Sequence, residues 1–130
     1  MATRTILVED SETIREALIP TLAELADAEV IVVAQTAAEG ILALATHDWE
    51  LAIVDMQLKQ GTGLAVLRAG QGRAPYQHMI GLSNYATPDI RRRCMEAGAD
   101  AVFDKSTEVE AFLEKCRSYA GQERSPSPGD

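Results

Sequence analysis

This chain is poor in cysteine, in basic charge, in aromatic rings and in long apolar runs. Two cysteines occur in 130 residues, Cys94 and Cys116, with no CxxC and no Cys/His cluster. That excludes a disulfide framework and a structural zinc site, and it predicts a reducing compartment. The longest apolar stretches are a few residues, too short to cross a membrane. The first residues, Met1 to Thr5, lack the apolar region of a signal peptide. The expected location is the cytoplasm. Twelve basic side chains stand against twenty acidic ones, a net charge of −8. Such a chain has little electrostatic attraction for a phosphate backbone, so direct nucleic-acid binding is not expected. A cation or a basic partner surface suits it better.

Hydrophobic residues make up 46% of the chain, enough for one core. Short apolar runs recur and stop at polar residues. Thr5–Ile6–Leu7–Val8 stops at Glu9–Asp10, and Val30 to Ala34 is continuous. Leu51–Ala52–Ile53–Val54 stops at Asp55, and Met79–Ile80–Gly81–Leu82 stops at Ser83. Ala101–Val102–Phe103 runs into Asp104–Lys105. Runs of this length without polar alternation fit parallel strands buried on both faces.

Helical patterns separate them. Ser11 to Leu25 places Ile14, Leu18, Leu22 and Leu25 on one face, with a kink expected near Glu16 from Pro20. Thr36 and Glu39 form a capping-box pattern, followed by an apolar face of Ala38, Ile41, Leu42 and Ala45. A short helix covers Leu64 to Ala69. Thr87–Pro88 opens a fourth helix that Gly98 stops, with Ile90, Cys94 and Ala97 inward. The last helix is expected to start at a Thr107/Glu110 capping box and to bury Val109, Phe112, Leu113 and Cys116. Strict β-α alternation predicts an α/β doubly wound sheet of five strands and five helices. The domain is read as residues 1–120. The polar, Pro-rich Gly121–Asp130 segment is read as a disordered tail, with no output domain after it.

In an open α/β sheet, function gathers at the carboxyl ends of the strands. Glu9, Asp10 and Asp55 stand there with Ser83 and Lys105. Three close carboxylates repel one another, and a hard cation relieves that. Mg²⁺ wants an octahedron of oxygens. Asp10 and Asp55 are the candidate direct ligands, Glu9 holds a metal-bound water, and a backbone carbonyl just after Asp55, that of Gln57, completes the protein share. One oxygen of Asp55 can then attack phosphorus in line while Lys105 neutralises phosphoryl oxygens. Ser83 can hydrogen-bond the product.

These residues resemble the response-regulator receiver family. The resemblance rests on Ile6-Leu7-Val8-Glu9-Asp10, Val54-Asp55-Met56, Leu82-Ser83-Asn84, Ala97-Gly98-Ala99-Asp100-Ala101 and Phe103-Asp104-Lys105, in order. It implies a flavodoxin-like sheet of order 2-1-3-4-5 and Asp55 as phosphoacceptor. It implies Glu9 and Asp10 at the metal, Lys105 at the phosphate, Ser83 as switch hydroxyl and Phe103 as a switch aromatic turning inward behind it. Gln57 and Tyr85 stand at positions that, by resemblance, tune water attack on the acyl phosphate. The expected partners are a histidine kinase or histidine phosphotransfer protein and a downstream protein target. A homodimer through helix four, strand five and helix five would draw on Arg91, Asp100 and Asp104. The family's lysine is usually followed by proline, where this chain has Ser106, so the loop after Lys105 is expected to run differently.

Other readings fit less well. An aspartate-nucleophile phosphatase of the haloacid-dehalogenase type needs a second acid two residues after its nucleophile, and Gln57 cannot transfer that proton. A flavodoxin needs an anion-binding loop after strand one, where Glu9–Asp10–Ser11–Glu12 would repel phosphate, and one Trp with three Tyr offers few rings to hold a flavin. A receiver-like interaction module that is never phosphorylated is the remaining alternative. Arg91–Arg92–Arg93 reads as a solvated helix face, Cys94 and Cys116 as core, and His47 and His78 lack metal-spaced partners.

Overall fold

In a computed structural model, described over residues 2–122, the apolar runs become β1 (Thr3–Val8), β2 (Ala28–Ala34), β3 (Leu51–Asp55), β4 (His78–Ser83) and β5 (Ala101–Asp104). They form one parallel sheet of order β2-β1-β3-β4-β5. Between them run α1 (Glu12–Leu25), α2 (Ala37–Thr46), α3 (Gly63–Ala69) and α4 (Pro88–Glu96), and α5 (Val109–Ala120) closes the order. The sheet is covered on both faces. One core, with Ile6, Val8, Val54, Met79 and Val102, lies under α2, α3 and α4. The other, with Leu7, Ile53, Ile80 and Leu82, lies under α1 and α5. Every residue of β3 is buried, because the central strand has a neighbour on each edge and helices on each face.

Helix caps follow the sequence. Ser11, Thr36, Thr62 and Thr87 each accept an N–H from the residue three positions on, satisfying a donor the first turn leaves over. Glu39 closes the α2 entry by accepting from Gln35 N–H at 3.0 Å. α1 runs unbroken through Pro20. Gly98, at φ +113°, takes a backbone conformation that disfavours side chains just past α4.

Three expectations need correction. Leu25 is 57% exposed, and Ala26 takes the buried place at the end of α1. On α2 the predicted face points outward, with Ile41, Leu42, Ala38 and Ala45 exposed, while Ala37, Gly40 and Ala43 are buried. The reason is steric. A Cβ on Gly40 would stand 3.1 Å from Val8 Cγ2, so only small residues let this helix lie so close to the sheet. The Thr107/Glu110 capping box does not form. The first helical residue is Val109, its cap residue Glu108 makes no capping bond, and Val109 is 43% exposed. Gly121 and Gln122 close the last turn onto Arg117 and Tyr119 carbonyls. The rest of the expected disordered tail, 123–130, lies outside the described residues.

Candidate functional site

The chain turns in opposite directions from β1 and β3, and their carboxyl ends flank the crevice where such sheets bind ligands. β1 delivers Glu9 and Asp10, β3 ends in Asp55, β4 in Ser83, and β5 leads into Lys105. Glu9, Asp55 and Ser83 are buried, and Asp10 is half-buried. Glu9, Asp10 and Asp55 each offer a carboxylate oxygen within 4.8 Å of the others. Lys105 Nζ donates to Glu9 Oε1 at 2.8 Å and lies 3.0 Å from Asp55 Oδ1. Asp55 Oδ1 also accepts the Gln57 N–H at 3.0 Å, so both contacts fall on one oxygen. Glu9 Oε2 accepts from Ser11 N–H, and Asp10 Oδ2 from Lys59 N–H at 2.7 Å, which ties the loop after β3 to the acidic cluster.

Burial pushes the Asp55 carboxyl up to about 6, and the nearby Glu9 charge adds to that, while the Gln57 N–H and Lys105 oppose it. Burial acts to lower Lys105, but Glu9 and Asp55 together raise it above the usual lysine value. One ammonium thus serves two buried carboxylates, with Asp10 alongside. This all-oxygen set, three carboxylates against one ammonium and so short of two positive charges, is the donor chemistry a hard divalent cation takes. Two glycines shape the loop after Asp55. Gly61 has φ +80°, and a Cβ on Gly63 would come 2.4 Å from the Asp55 carbonyl oxygen. A side chain at position 63 would therefore push α3 off the strand end.

Ser83 is fully buried beside Gln57. Its Oγ accepts from Gln57 Nε2 at 2.8 Å and donates to the Tyr85 carbonyl at 3.3 Å. The Tyr85 side chain itself is 80% exposed. In this structure Phe103, the expected switch aromatic, does not lie beside Ser83. Gly81 faces the α4 side and Leu82 the α5 side, so by strand alternation Ser83 faces α4. Phe103 belongs to the α5 side and packs edge-on against Phe112 at 6.0 Å between centroids. Val102 holds the α4 side of β5.

The loop after Lys105 takes its shape from Asp104. No cis peptide occurs among the described residues. Asp104 Oδ1 accepts from Ser106 N–H, Ser106 Oγ–H and Thr107 N–H, and Oδ2 accepts from Ala86 N–H. These donors hold the Asp104 carboxyl far below the usual carboxylate range. They also explain why α5 starts late, since Ser106 and Thr107 are spent on the turn. Arg91 donates to Glu108, Ala86 O and Val102 O, and Asp100 pairs with Arg73. The three charges expected to serve a dimer are therefore engaged within the chain. Sequence reasoning missed the Gln57 side-chain bridge, the Lys59 amide on Asp10 and the role of Asp104. Only the spacing of Asp104 before two hydroxyl residues signalled a turn.

A five-stranded receiver-type sheet with an acidic triad and a lysine at its carboxyl edge defines the class. The chain belongs to the response regulator receiver domain family, which matches residues 5–117. It is 26% identical over 125 residues to the acid tolerance regulatory protein ActR of Rhizobium meliloti (strain 1021). That match covers 95% of this chain and 63% of ActR, so the chain spans less than two thirds of that relative's length. The response regulator domain of Thermotoga maritima CheB superposes with a TM-score of 0.81 at 19% identity, covering 95% of this chain and 99% of that one. A CheY-like receiver domain protein from Methanospirillum hungatei JF-1 is 28% identical, with a TM-score of 0.74 and coverage of 91% and 93%. Among the described residues no helix is long and apolar enough to cross a membrane.

Proposed function

We propose that this receiver domain accepts a phosphoryl group on Asp55 from the phosphohistidine of a histidine kinase or histidine phosphotransfer protein. The carrying observation is that Lys105 reaches both Glu9 and Asp55 inside an acidic cluster with oxygens within 4.8 Å. Glu9, Asp10, Asp55 and the Gln57 carbonyl are the groups that would hold Mg²⁺. When bound, Mg²⁺ supplies positive charge that offsets repulsion between the carboxylates and the incoming phosphoryl group.

Lys105 and the Gln57 N–H hold Asp55 Oδ1, which leaves Oδ2 to attack phosphorus in line. The P–N bond to the donor imidazole breaks, and the imidazole nitrogen keeps the electron pair. The Lys105 ammonium neutralises the charge gathering on the phosphoryl oxygens. Water later cleaves the acyl phosphate, returning Asp55 and inorganic phosphate. The domain thus assists its own phosphorylation and dephosphorylation without acting as an enzyme on other substrates. An apolar cleft of about 290 Å³, lined in part by Ile14, Leu18, Val109 and Phe112, opens beside Lys105 and gives the donor protein a place to dock. Output passes to a downstream protein through the face of α4, β5 and α5, where Asp104 joins the loops on either side.

The test is intact-mass measurement after incubation with Mg²⁺ and acetyl phosphate. One added phosphoryl group is expected in the wild type, and none in Asp55→Asn or with chelator. No adduct in the wild type, while a known receiver treated alongside gains one, would favour an interaction module that is never phosphorylated.

A further inference from the structure

Gln57 touches the site at both ends. Its backbone N–H donates to Asp55 Oδ1, its Nε2 donates to Ser83 Oγ at 2.8 Å, and its Oε1 accepts the Asn84 N–H at 3.1 Å. The orientation of the amide is fixed chemically. Asn84 N–H can only donate, so it must face Oε1, and Nε2 must then face the Ser83 hydroxyl.

This fixes the direction of the hydroxyl as well. A hydroxyl carries one proton and two lone pairs. With one lone pair filled by Gln57 Nε2, the proton of Ser83 points elsewhere, to the Tyr85 carbonyl. That bond is 3.3 Å long, against about 2.7–2.8 Å for an ordinary O–H···O bond. The strong bond to Ser83 is therefore the one it accepts, and the weak bond is the one it donates. The proton can leave Tyr85 O for a phosphoryl oxygen on Asp55 while the Gln57 bond stays in place.

We propose that the Gln57 side chain is the positioning residue for Ser83. It holds the hydroxyl as an acceptor in the unphosphorylated protein, keeps its proton available, and fastens the residues after β4 to the loop after Asp55. With Phe103 on the far face of the sheet, this amide bridge is the direct connection from the Asp55 loop to Ser83 and Asn84. The inference rests on the phosphoacceptor reading for its use, but the bridge itself is testable without phosphorylation.

The experiment is ¹H–¹⁵N NMR on the full chain, wild type against Ser83→Ala and Gln57→Leu. In the unphosphorylated wild type one Gln57 Nε2 proton should lie away from the free-amide position, and it should return there in Ser83→Ala. The Asn84 amide should shift in Gln57→Leu. A Gln57 side-chain signal that is unchanged by Ser83→Ala overturns the proposal, even if Asp55 is phosphorylated normally. A second measurement follows the lifetime of the phosphoryl group in the two single variants and the double variant. If Gln57 acts through Ser83, the double variant matches Ser83→Ala within about two-fold, the ordinary scatter of additivity. Independent, multiplying effects overturn it. If the wild type takes up no phosphoryl group, the phosphoacceptor reading fails, and the positioning role stands or falls on the Gln57 amide proton.

Discussion

Lys105 donates a 2.8 Å hydrogen bond to Glu9 across 96 residues of sequence, with the two side chains 11% and 2% exposed. The bond joins the last strand to the first and leaves the ammonium close to Asp55. Removing one partner of a buried pair costs about 3–5 kcal/mol when the remaining charge stays buried. In Lys105→Met two carboxylates lose their cation, but Asp55, already raised to about 6 by burial, can take up a proton and recover part of the loss. We expect a fall in metal-free stability near the lower end of that range at neutral pH, read by urea unfolding. An unchanged midpoint would mean that the ammonium contributes nothing to holding the edge together.

Asp55→Asn should act in the opposite direction. Burial and Glu9 raise the Asp55 carboxyl from 3.8 to about 6 in the folded chain. Between those values the folded form binds more protons than the unfolded form, so wild-type stability falls as pH rises through the window. Asparagine carries no such charge. The variant should be more stable by about 1–3 kcal/mol above pH 6, and the gain should vanish below 3.8. Unfolding of both proteins across this window tests it. A gain that persists at the acid end would come from packing rather than charge.

Mg²⁺ should stabilise the wild type by mass action, by about 1.4 kcal/mol at ten times its dissociation constant. Asp10→Ala should lose most of this, because it removes one of the three clustered carboxylates. Tm with Mg²⁺, with chelator and in the variant gives the comparison. Equal Tm shifts in variant and wild type would place the cation elsewhere.

The strands and the acidic edge were legible because their causes are local. A strand is apolar where both of its faces are buried, and a carboxylate marks its carboxyl end, as with Glu9 just after β1 and Asp55 closing β3. The same continuity hides which face each residue takes. Val102 and Phe103 are both apolar, so the sequence offers no sign that Phe103 turns toward α5 and away from Ser83. The inward face of α2 was misread for a steric reason. Hydrophobicity favours Ile41 and Leu42, but the close approach over Val8 admits only Ala37, Gly40 and Ala43. The Gln57 bridge spans 26 residues to Ser83, and nothing local to either residue specifies it.

Arg73 sits at the opposite end of the sheet, with its side chain 13% exposed. It donates to the carbonyls of Gly70, Gln77 and Gly98 and to Asp100, whose carboxylate also accepts the Met79 N–H at the start of β4. One guanidinium thus joins the chain before β4 to the chain before β5. Arg73→Ala should cost about 2–4 kcal/mol, since several half-buried acceptors lose their donor at once. Phosphoryl uptake by mass should be unchanged in the folded fraction. A loss of uptake without a loss of stability would mean that the two ends of the sheet communicate.

Adjacent residues of α2 should respond oppositely to the same change. Leu42 is 63% exposed, whereas Ala43 is 4% exposed and packs into the core under α2 and α3. Leu42→Lys exchanges an exposed aliphatic for a good helix former, and its effect should fall within about 0.5 kcal/mol of zero. Ala43→Lys forces a long charged side chain into a space that holds a methyl group. It should destabilise by more than about 3 kcal/mol through overpacking and an unpaired charge. Thermal unfolding of the two variants decides between the sequence-predicted face and the observed one. If Leu42→Lys were the damaging change, the helix would have to be rotated by about 100°, the angle between successive residues at 3.6 per turn.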